Sequence, residues 1–141
     1  MNRQVDVARQ RFNANRLWAI VGAMVCLLSV VIGAFAAHSL KTTLSDYQIG
    51  IVGTGAQYQM YHGLAILISS LLFLALQTPT KLIHFVNSAF AAGCLLFPIS
   101  LYCLALTEVK MFAYFTPLGG LFFIIGWCLL IWAIVKSPKQ T

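Results

Sequence analysis

The chain has 141 residues, of which 60% are hydrophobic and only 9% are charged, and its formal net charge is +6. This composition excludes an ordinary water-soluble domain, in which about a quarter of the residues carry charge. The positive charge would suit nucleic acid, but the nine Lys and Arg residues lie at the ends of apolar runs rather than on one soluble face. We therefore expect the lipid bilayer, and no nucleic acid, as a partner.

Four apolar stretches are long enough to cross a hydrocarbon layer of ~30 Å, which takes ~20 residues of α-helix. They cover residues 17–37, 58–76, 82–106 and 112–135. Together they form a transmembrane domain, residues 17–135, between a basic tail at 1–16 and a short tail at 136–141. The sequence predicts an all-α membrane protein, a left-handed antiparallel bundle of four transmembrane helices.

Basic residues are distributed unequally between the two ends of these spans. One end holds seven of them: Arg3, Arg9, Arg11, Arg16, Lys81, Lys136 and Lys139. The other end holds only Lys41 and Lys110, in loops that also carry Asp46 or Glu108. Because Lys and Arg accumulate in cytoplasmic loops, we expect both termini in the cytoplasm.

Residues 34–36, Ala-Phe-Ala, resemble a signal-peptidase site. The apolar run before them covers residues 17–37, longer than the ~7–15 residues of a signal-peptide core. We therefore expect the first span to stay in the mature protein.

The connections between the spans differ in length. The connection at residues 77–81 predicts a tight turn between neighbouring helices. The longer loop at 38–57 predicts a short interfacial helix that starts near Ser45.

Residues spaced alternately three and four apart define one seam on each span. On the first and fourth spans, small residues dominate: Ala19, Gly22, Cys26, Ser29, Gly33 and Ala36, then Thr116, Gly119, Phe123, Gly126, Leu130 and Ala133. On the third span the seam includes Pro98, which predicts a kink. Small residues let helices approach closely in lipid, so we expect helix packing at Gly22, Ser29, Gly33, Pro98, Gly119 and Gly126.

Polar side chains concentrate in the half of the bundle away from the cytoplasm. They are His38, Gln57, Tyr58, Tyr61, His62, Ser100, Tyr102 and Thr116. One interpretation is a vestibule in which a histidine binds a solute or carries protons. The other, which we favour, is an aromatic belt combined with hydrogen bonds between helices.

The residue patterns that several kinds of catalysis, transport and cofactor binding require are absent from the sequence. The four cysteines show no C-x-x-C spacing, all three acids lie outside the spans, and no hydrolase or phosphate-loop signature is present. Bis-histidine haem ligation needs two histidines at matching depth, whereas His38 lies at a span end and His62 about one turn inside. We expect no enzyme activity, no cofactor and no metal.

Four ordered motifs resemble one family: residues 33–41, GAFAAHSLK; 57–65, QYQMYHGLA; 100–102, SLY; and 116–120, TPLGG, followed by Gly126-Trp127. They resemble the YgdD/YwdK family of small bacterial inner-membrane proteins, domain of unknown function 423, which is related to eukaryotic transmembrane protein 256. The likeness covers about residues 17–135 and implies a four-span protein without an established activity. The chain departs from the family pattern at residues 97–102, FPISLY, where the family usually has FSGSLY.

Two functional hypotheses follow. The first is a non-enzymatic membrane protein that packs against lipids, a second copy or other subunits, and supports envelope integrity or a larger membrane complex. The second is an oligomeric carrier or channel for a small solute or proton, which uses the polar vestibule.

Overall fold

The computed structural model describes residues 2–136, which form four long helices joined by short connections. Helix α1 covers Asn2–His38, α2 Asp46–Ala75, α3 Thr80–Thr107 and α4 Phe115–Lys136. Two 3₁₀ helices, Leu40–Thr42 and Lys110–Tyr114, precede α2 and α4. Four helical segments are long and apolar enough to cross a membrane. Residue 1 and residues 137–141, which include Lys139 and most of the predicted C-terminal tail, lie outside the described residues.

Helix α1 is longer than its apolar span. It has 37 residues, which corresponds to about 55 Å at 1.5 Å per residue. The basic segment before Leu17 contains neither glycine nor proline, so nothing in its composition interrupts the helix. The arginines of this segment therefore lie on a helical extension of the first span.

Helix α2 begins at Asp46 because a capping box starts it there. The Ser45 hydroxyl accepts a hydrogen bond from the Gln48 backbone N–H, and the Gln48 side chain accepts one from the Ser45 N–H at 2.9 Å. From this cap the helix continues without a break to Ala75. The loop expected over residues 38–57 is therefore shorter, and its short interfacial helix is instead the first part of α2.

Three helix pairs form the extensive backbone contacts, namely α1 with α2, α2 with α3, and α3 with α4. The larger buried cluster lies among α2, α3 and α4 and includes Phe73, Ile83, Val86, Phe90 and Phe123. A smaller cluster at the other end joins Ala36, Val52 and Ala105. Since lipid tails are as apolar as these side chains, close packing and hydrogen bonds between helices hold such a structure together.

The connection between α2 and α3 is as short as the sequence predicted. Leu76 caps α2, Gln77 adopts a left-handed backbone conformation with φ of 52°, and Pro79 precedes α3. The amide N–H of Thr78 donates to the Phe73 carbonyl at 3.1 Å. This turn keeps α2 and α3 adjacent, and Asn87 on α3 accepts a hydrogen bond from Ser69 on α2 at 2.6 Å.

Candidate functional site

His62 lies at the centre of the polar side chains between α2 and α4. It is buried, and its Nδ1 lies 2.8 Å from the carbonyl oxygen of Tyr58, one turn earlier on α2. The indole N–H of Trp127 on α4 donates to Nε2 over 3.3 Å. Because Nε2 accepts this hydrogen bond, the ring proton lies on Nδ1 and is donated to the carbonyl. Both nitrogens of a neutral imidazole are thus used.

Aromatic rings enclose the imidazole. Phe123 of α4 stacks on it with ring centroids 3.4 Å apart and ring planes within 7°. Tyr58 stacks on Phe97 of α3 at 4.7 Å. Phe90 and Trp127 have ring centroids 5.9 Å and 6.3 Å from that of the imidazole and meet each other edge to face at 5.2 Å. The Phe123 contact is nearly face to face, and the edge-to-face pair adds to the packing energy of the aromatic side chains. The ring is therefore fixed by its surroundings as well as by its two hydrogen bonds.

His62 lies further from the start of its helix than the sequence predicted. The residue lies 16 positions after the start of α2 at Asp46, or about 24 Å along the helix, rather than about one turn inside it. Its neighbour Gly63 packs against Cys26 of α1, and Phe90 and Phe123 lie beside the imidazole. These contacts fall near the middle of the apolar runs of the other helices. The early start of α2 is the reason for the difference.

An open groove lies beside His62. Its volume is about 590 Å³, and it is lined by Tyr58, His62, Phe97, Pro117, Gly120, Leu121, Phe123, Ile124 and Trp127. Most of this lining is aromatic or aliphatic, and its polar side-chain groups are the imidazole of His62, the indole N–H of Trp127 and the hydroxyl of Tyr58. Such a surface suits an apolar or weakly polar group rather than a hydrated ion.

A second polar chain crosses three helices. The Tyr102 hydroxyl of α3 donates to Gln59 Oε1 of α2 at 2.8 Å. Gln59 Nε2 donates in turn to the Val25 carbonyl of α1 at 3.1 Å. Gln59 is buried and was absent from the predicted cluster. Its position three residues before His62 and four after Gly55 would have placed it on the inward face of α2.

Two further hydrogen bonds connect neighbouring helices. Ser100 of α3 and Thr116 of α4 share one between their hydroxyl groups at 2.8 Å, and Ser100 also donates to the Phe97 carbonyl. Ser29 of α1 donates to the Ala56 carbonyl of α2 at 2.7 Å, in a buried position. Both are hydrogen bonds between helices of the kind that stabilises membrane bundles.

Three residues of the predicted polar cluster lie apart from these networks. His38 is exposed at the end of α1. Gln57 and Tyr61 are exposed on α2, and the Gln57 amide donates to the Tyr61 hydroxyl at 2.7 Å within that helix. The structure therefore brings together Tyr58 and His62, and separately Ser100 and Thr116. Tyr102 joins Gln59 instead.

The glycines of the seams differ in the space around them. A Cβ atom at Gly22 would lie 2.7 Å from the Leu67 backbone nitrogen, and one at Gly126 would lie 2.6 Å from the Phe90 ring. Gly119 meets the backbone of Phe97 still more closely. At Gly33, by contrast, a Cβ would meet no atom within 4 Å among the described residues. Pro98 is buried inside α3.

The other titratable side chains of the spans lie in separate surroundings. His84 lies near the start of α3, and its Nδ1 accepts a hydrogen bond from the Trp18 indole of α1 at 3.0 Å. All four cysteines are free thiols. Among residues 2–136, no three His, Cys, Asp or Glu side chains are close enough together to hold a metal ion.

The sequence matches a family of membrane proteins. The profile described as "Protein of unknown function (DUF423)" covers residues 32–120. The membrane protein SAB0533 of Staphylococcus aureus (strain bovine RF122 / ET3-1), named UPF0382, is 39% identical over 86% of this chain and 97% of its own length. The chain belongs to this family. The UPF0382 inner membrane protein YgdD of Escherichia coli (strain K12) is 37% identical over 89% of this chain and 95% of its own. No solved structure matches.

The DUF423 region includes the main polar contacts of the site. Residues 32–120 contain His62, Gln59, Tyr102 and the Ser100–Thr116 pair. Trp127, which donates to His62, lies beyond the residues that the family profile matches. The resemblance expected from the four motifs is thus confirmed, and this protein is a membrane protein of a family without a known function.

Proposed function

We propose that this chain is a non-enzymatic structural or accessory protein of the bacterial inner membrane, which supports envelope integrity or belongs to a larger membrane complex. One observation carries this proposal: both nitrogens of the deeply placed His62 are engaged by Trp127 and Tyr58. A group that shuttles protons or coordinates a solute needs a free nitrogen or an exchangeable partner. The neutral imidazole here instead links α2 to α4.

The neighbouring polar groups support the same conclusion. Tyr102, Gln59 and the Val25 carbonyl form a hydrogen-bonded chain from α3 through α2 to α1. Ser100 and Thr116 join α3 to α4. These hydrogen bonds connect the four helices in sequence, as expected of polar residues that maintain helix packing in lipid.

The topology that we propose is antiparallel with both termini in the cytoplasm. Gly22 packs near Gly63, whereas Ser29, further along α1, bonds to Ala56, earlier on α2. This reversed order supports antiparallel α1 and α2. The seven basic residues at one end of the spans, against two at the other, support a cytoplasmic location for that end.

A specific observation favours the second candidate, a carrier or channel for a small solute or proton. The groove of about 590 Å³ borders His62 and Trp127, so a solute in it would contact the only imidazole placed deep among the described spans. A carrier would have to break the Trp127 contact during its cycle. A scaffold would keep it, which gives the two candidates different predictions for variants of His62.

Affinity purification of the tagged protein from its native membrane in a mild detergent, followed by mass spectrometry, tests the proposal. We expect defined membrane subunits or further copies of this chain to co-purify, and the His62→Gln variant to retain them. A variant with an exposed apolar substitution, Leu27→Ala, is the matched control for expression. Recovery of the wild-type protein as a lone single chain would contradict the scaffold proposal.

A further inference from the structure

A pocket of about 610 Å³ opens between the start of α2, the end of α3 and the 3₁₀ helix before α4. It is lined by Ser45, Tyr47, Gln48, Ile51, Leu104, Glu108, Lys110, Ala113 and Tyr114. None of these residues belongs to the polar cluster around His62. The pocket lies where the helices end, the level at which a bilayer changes from hydrocarbon to headgroups.

Hydrogen bonds fix one wall of the pocket. The Gln48 amide donates to the Ala105 carbonyl at 2.8 Å and to Glu108 Oε1 at 3.1 Å. Gln48 is itself held by the backbone N–H of Ser45, to which its Oε1 is bonded. Glu108 caps α3 in a left-handed conformation with φ of 59°. Its carboxylate is therefore held at the rim, with acceptor capacity left for a further donor.

Opposite charges surround an apolar base. Glu108 and Lys110 are two residues apart on the rim, whereas Ile51, Leu104 and Ala113 provide apolar lining. Tyr47 and Tyr114 add two rings, each 78% exposed. Tyrosine is enriched at membrane interfaces, because its ring is apolar and its hydroxyl is polar. One anionic site and one cationic site above an apolar surface match an amphiphile whose headgroup carries both charges.

We propose that this pocket binds a phospholipid with a zwitterionic headgroup that carries a primary ammonium, as in phosphatidylethanolamine. The ammonium donates to the Glu108 carboxylate, the phosphate accepts from the Lys110 ammonium, and the glycerol and first acyl carbons lie along Ile51 and Leu104. An anionic lipid such as phosphatidylglycerol would satisfy Lys110 but offers no cation to Glu108. The assignment depends only on the membrane location and holds for either orientation of the chain.

Native mass spectrometry of the purified full chain with equal amounts of phosphatidylethanolamine and phosphatidylglycerol tests the assignment. We expect the wild-type protein to retain more phosphatidylethanolamine. Glu108→Gln should reduce this preference by up to about fivefold, the upper end of the range for an exposed charge pair. Lys110→Gln should reduce binding of both lipids, because both present a phosphate.

Matched controls use the other charged residues at the same end of the helices. Asp46→Asn and Lys41→Gln change the net charge as Glu108→Gln and Lys110→Gln do, but neither residue lines the pocket. We expect both controls to bind like the wild type. Circular dichroism verifies that each variant is folded, and a Glu108→Asp variant, which keeps the charge, should retain part of the preference if the Gln variant is unstable.

Three results would overturn the assignment. The first is equal retention of the two lipids by the wild-type protein. The second is a loss of preference in Asp46→Asn as large as that in Glu108→Gln. The third is equally tight binding of water-soluble glycerophosphoethanolamine, which has the headgroup without acyl chains and would show that the pocket takes a free solute rather than a lipid.

Discussion

The indole N–H of Trp127 donates to Nε2 of His62 over 3.3 Å, and this contact fixes which nitrogen of the imidazole carries the proton. Nδ1 then donates to the Tyr58 carbonyl. A second proton on the ring would point an N–H group at the indole N–H. The geometry therefore holds one neutral tautomer and connects α2 to α4 near the middle of the spans.

The first prediction concerns substitution of this histidine. In His62→Gln, the side-chain amide has both an acceptor for Trp127 and a donor for the Tyr58 carbonyl, so we expect near-wild-type stability. His62→Leu removes both side-chain hydrogen bonds and leaves the Trp127 indole N–H without its acceptor, so it should lower the free energy of unfolding by ~0.6–2 kcal/mol. Thermal unfolding in detergent measures both. Equal melting temperatures for the two variants would show that the hydrogen bonds contribute nothing.

The second prediction compares two glycines on the same helix. Gly22→Ala places a methyl group against the Leu67 backbone, whereas the same methyl group at Gly33 meets no atom within 4 Å in the part of the chain that the structure describes. Overpacking costs ~1–3 kcal/mol, so we expect Gly22→Ala to destabilise the protein and Gly33→Ala to leave it unchanged or slightly more stable. Chemical unfolding in detergent distinguishes them. Similar losses for both would mean that α1 does not contact α2 through Gly22.

Larger substitutions extend this comparison to α4. Gly22→Leu and Gly126→Leu should both destabilise the protein more than Leu27→Ala, because Leu27 is 62% exposed and Gly126 contacts the Phe90 ring. If all three variants melt at the same temperature, the small-residue seams do not face the other helices.

The third prediction concerns the hydrogen-bonded chain through Gln59. Tyr102→Phe removes the donor to Gln59 Oε1 and should cost ~0.6–2 kcal/mol of unfolding free energy. Tyr61→Phe is the matched control, since it removes the same hydroxyl group from an exposed contact within one helix. A Tyr102→Phe and Gln59→Leu double-mutant cycle isolates the coupling between the two side chains. Additive losses in that cycle would contradict a direct hydrogen bond.

Packing could largely be predicted from the sequence because small and polar residues recur at helical spacing. The seam positions Gly22, Ser29, Gly126 and Ala133 are all buried. Gly33 shows where such a pattern is insufficient. It lies on the same seam, but a Cβ atom there would meet no atom of another described residue within 4 Å. Residue spacing carries no information about the distance to another helix.

A helix does begin where the sequence predicted one, near Ser45, but its continuity with the second span could not be predicted from hydropathy, because its first turns contain Gly50, Gly53 and Gly55. Each glycine costs about 1 kcal/mol in a helix interior. The Ser45–Gln48 capping box offsets part of this cost, and its Ser-x-x-Gln pattern could be recognised in the sequence. The close packing of Gly55 against the Tyr102 ring could not be predicted from the local sequence, because it depends on a residue 47 positions away.

The fourth prediction concerns the proposed topology. A reporter that is active only in the cytoplasm should be active when fused at either Met1 or Thr141, because the basic residues concentrate at the end of the spans nearest both positions. Activity of a periplasmic reporter at either end would refute the four-span topology. Loss of the N-terminal fusion from the mature chain would indicate cleavage after residue 36.

Flux across liposomes tests the structural role of His62 most directly. Wild-type protein and His62→Gln are reconstituted at equal density, and proton movement and the movement of small solutes are recorded, with thermal stability measured in parallel. If the imidazole is a link between helices, as we propose, neither protein should move protons or solutes faster than empty liposomes. Flux through the wild-type protein that disappears in His62→Gln at unchanged stability would contradict the scaffold proposal, because glutamine keeps the hydrogen bonds but cannot titrate.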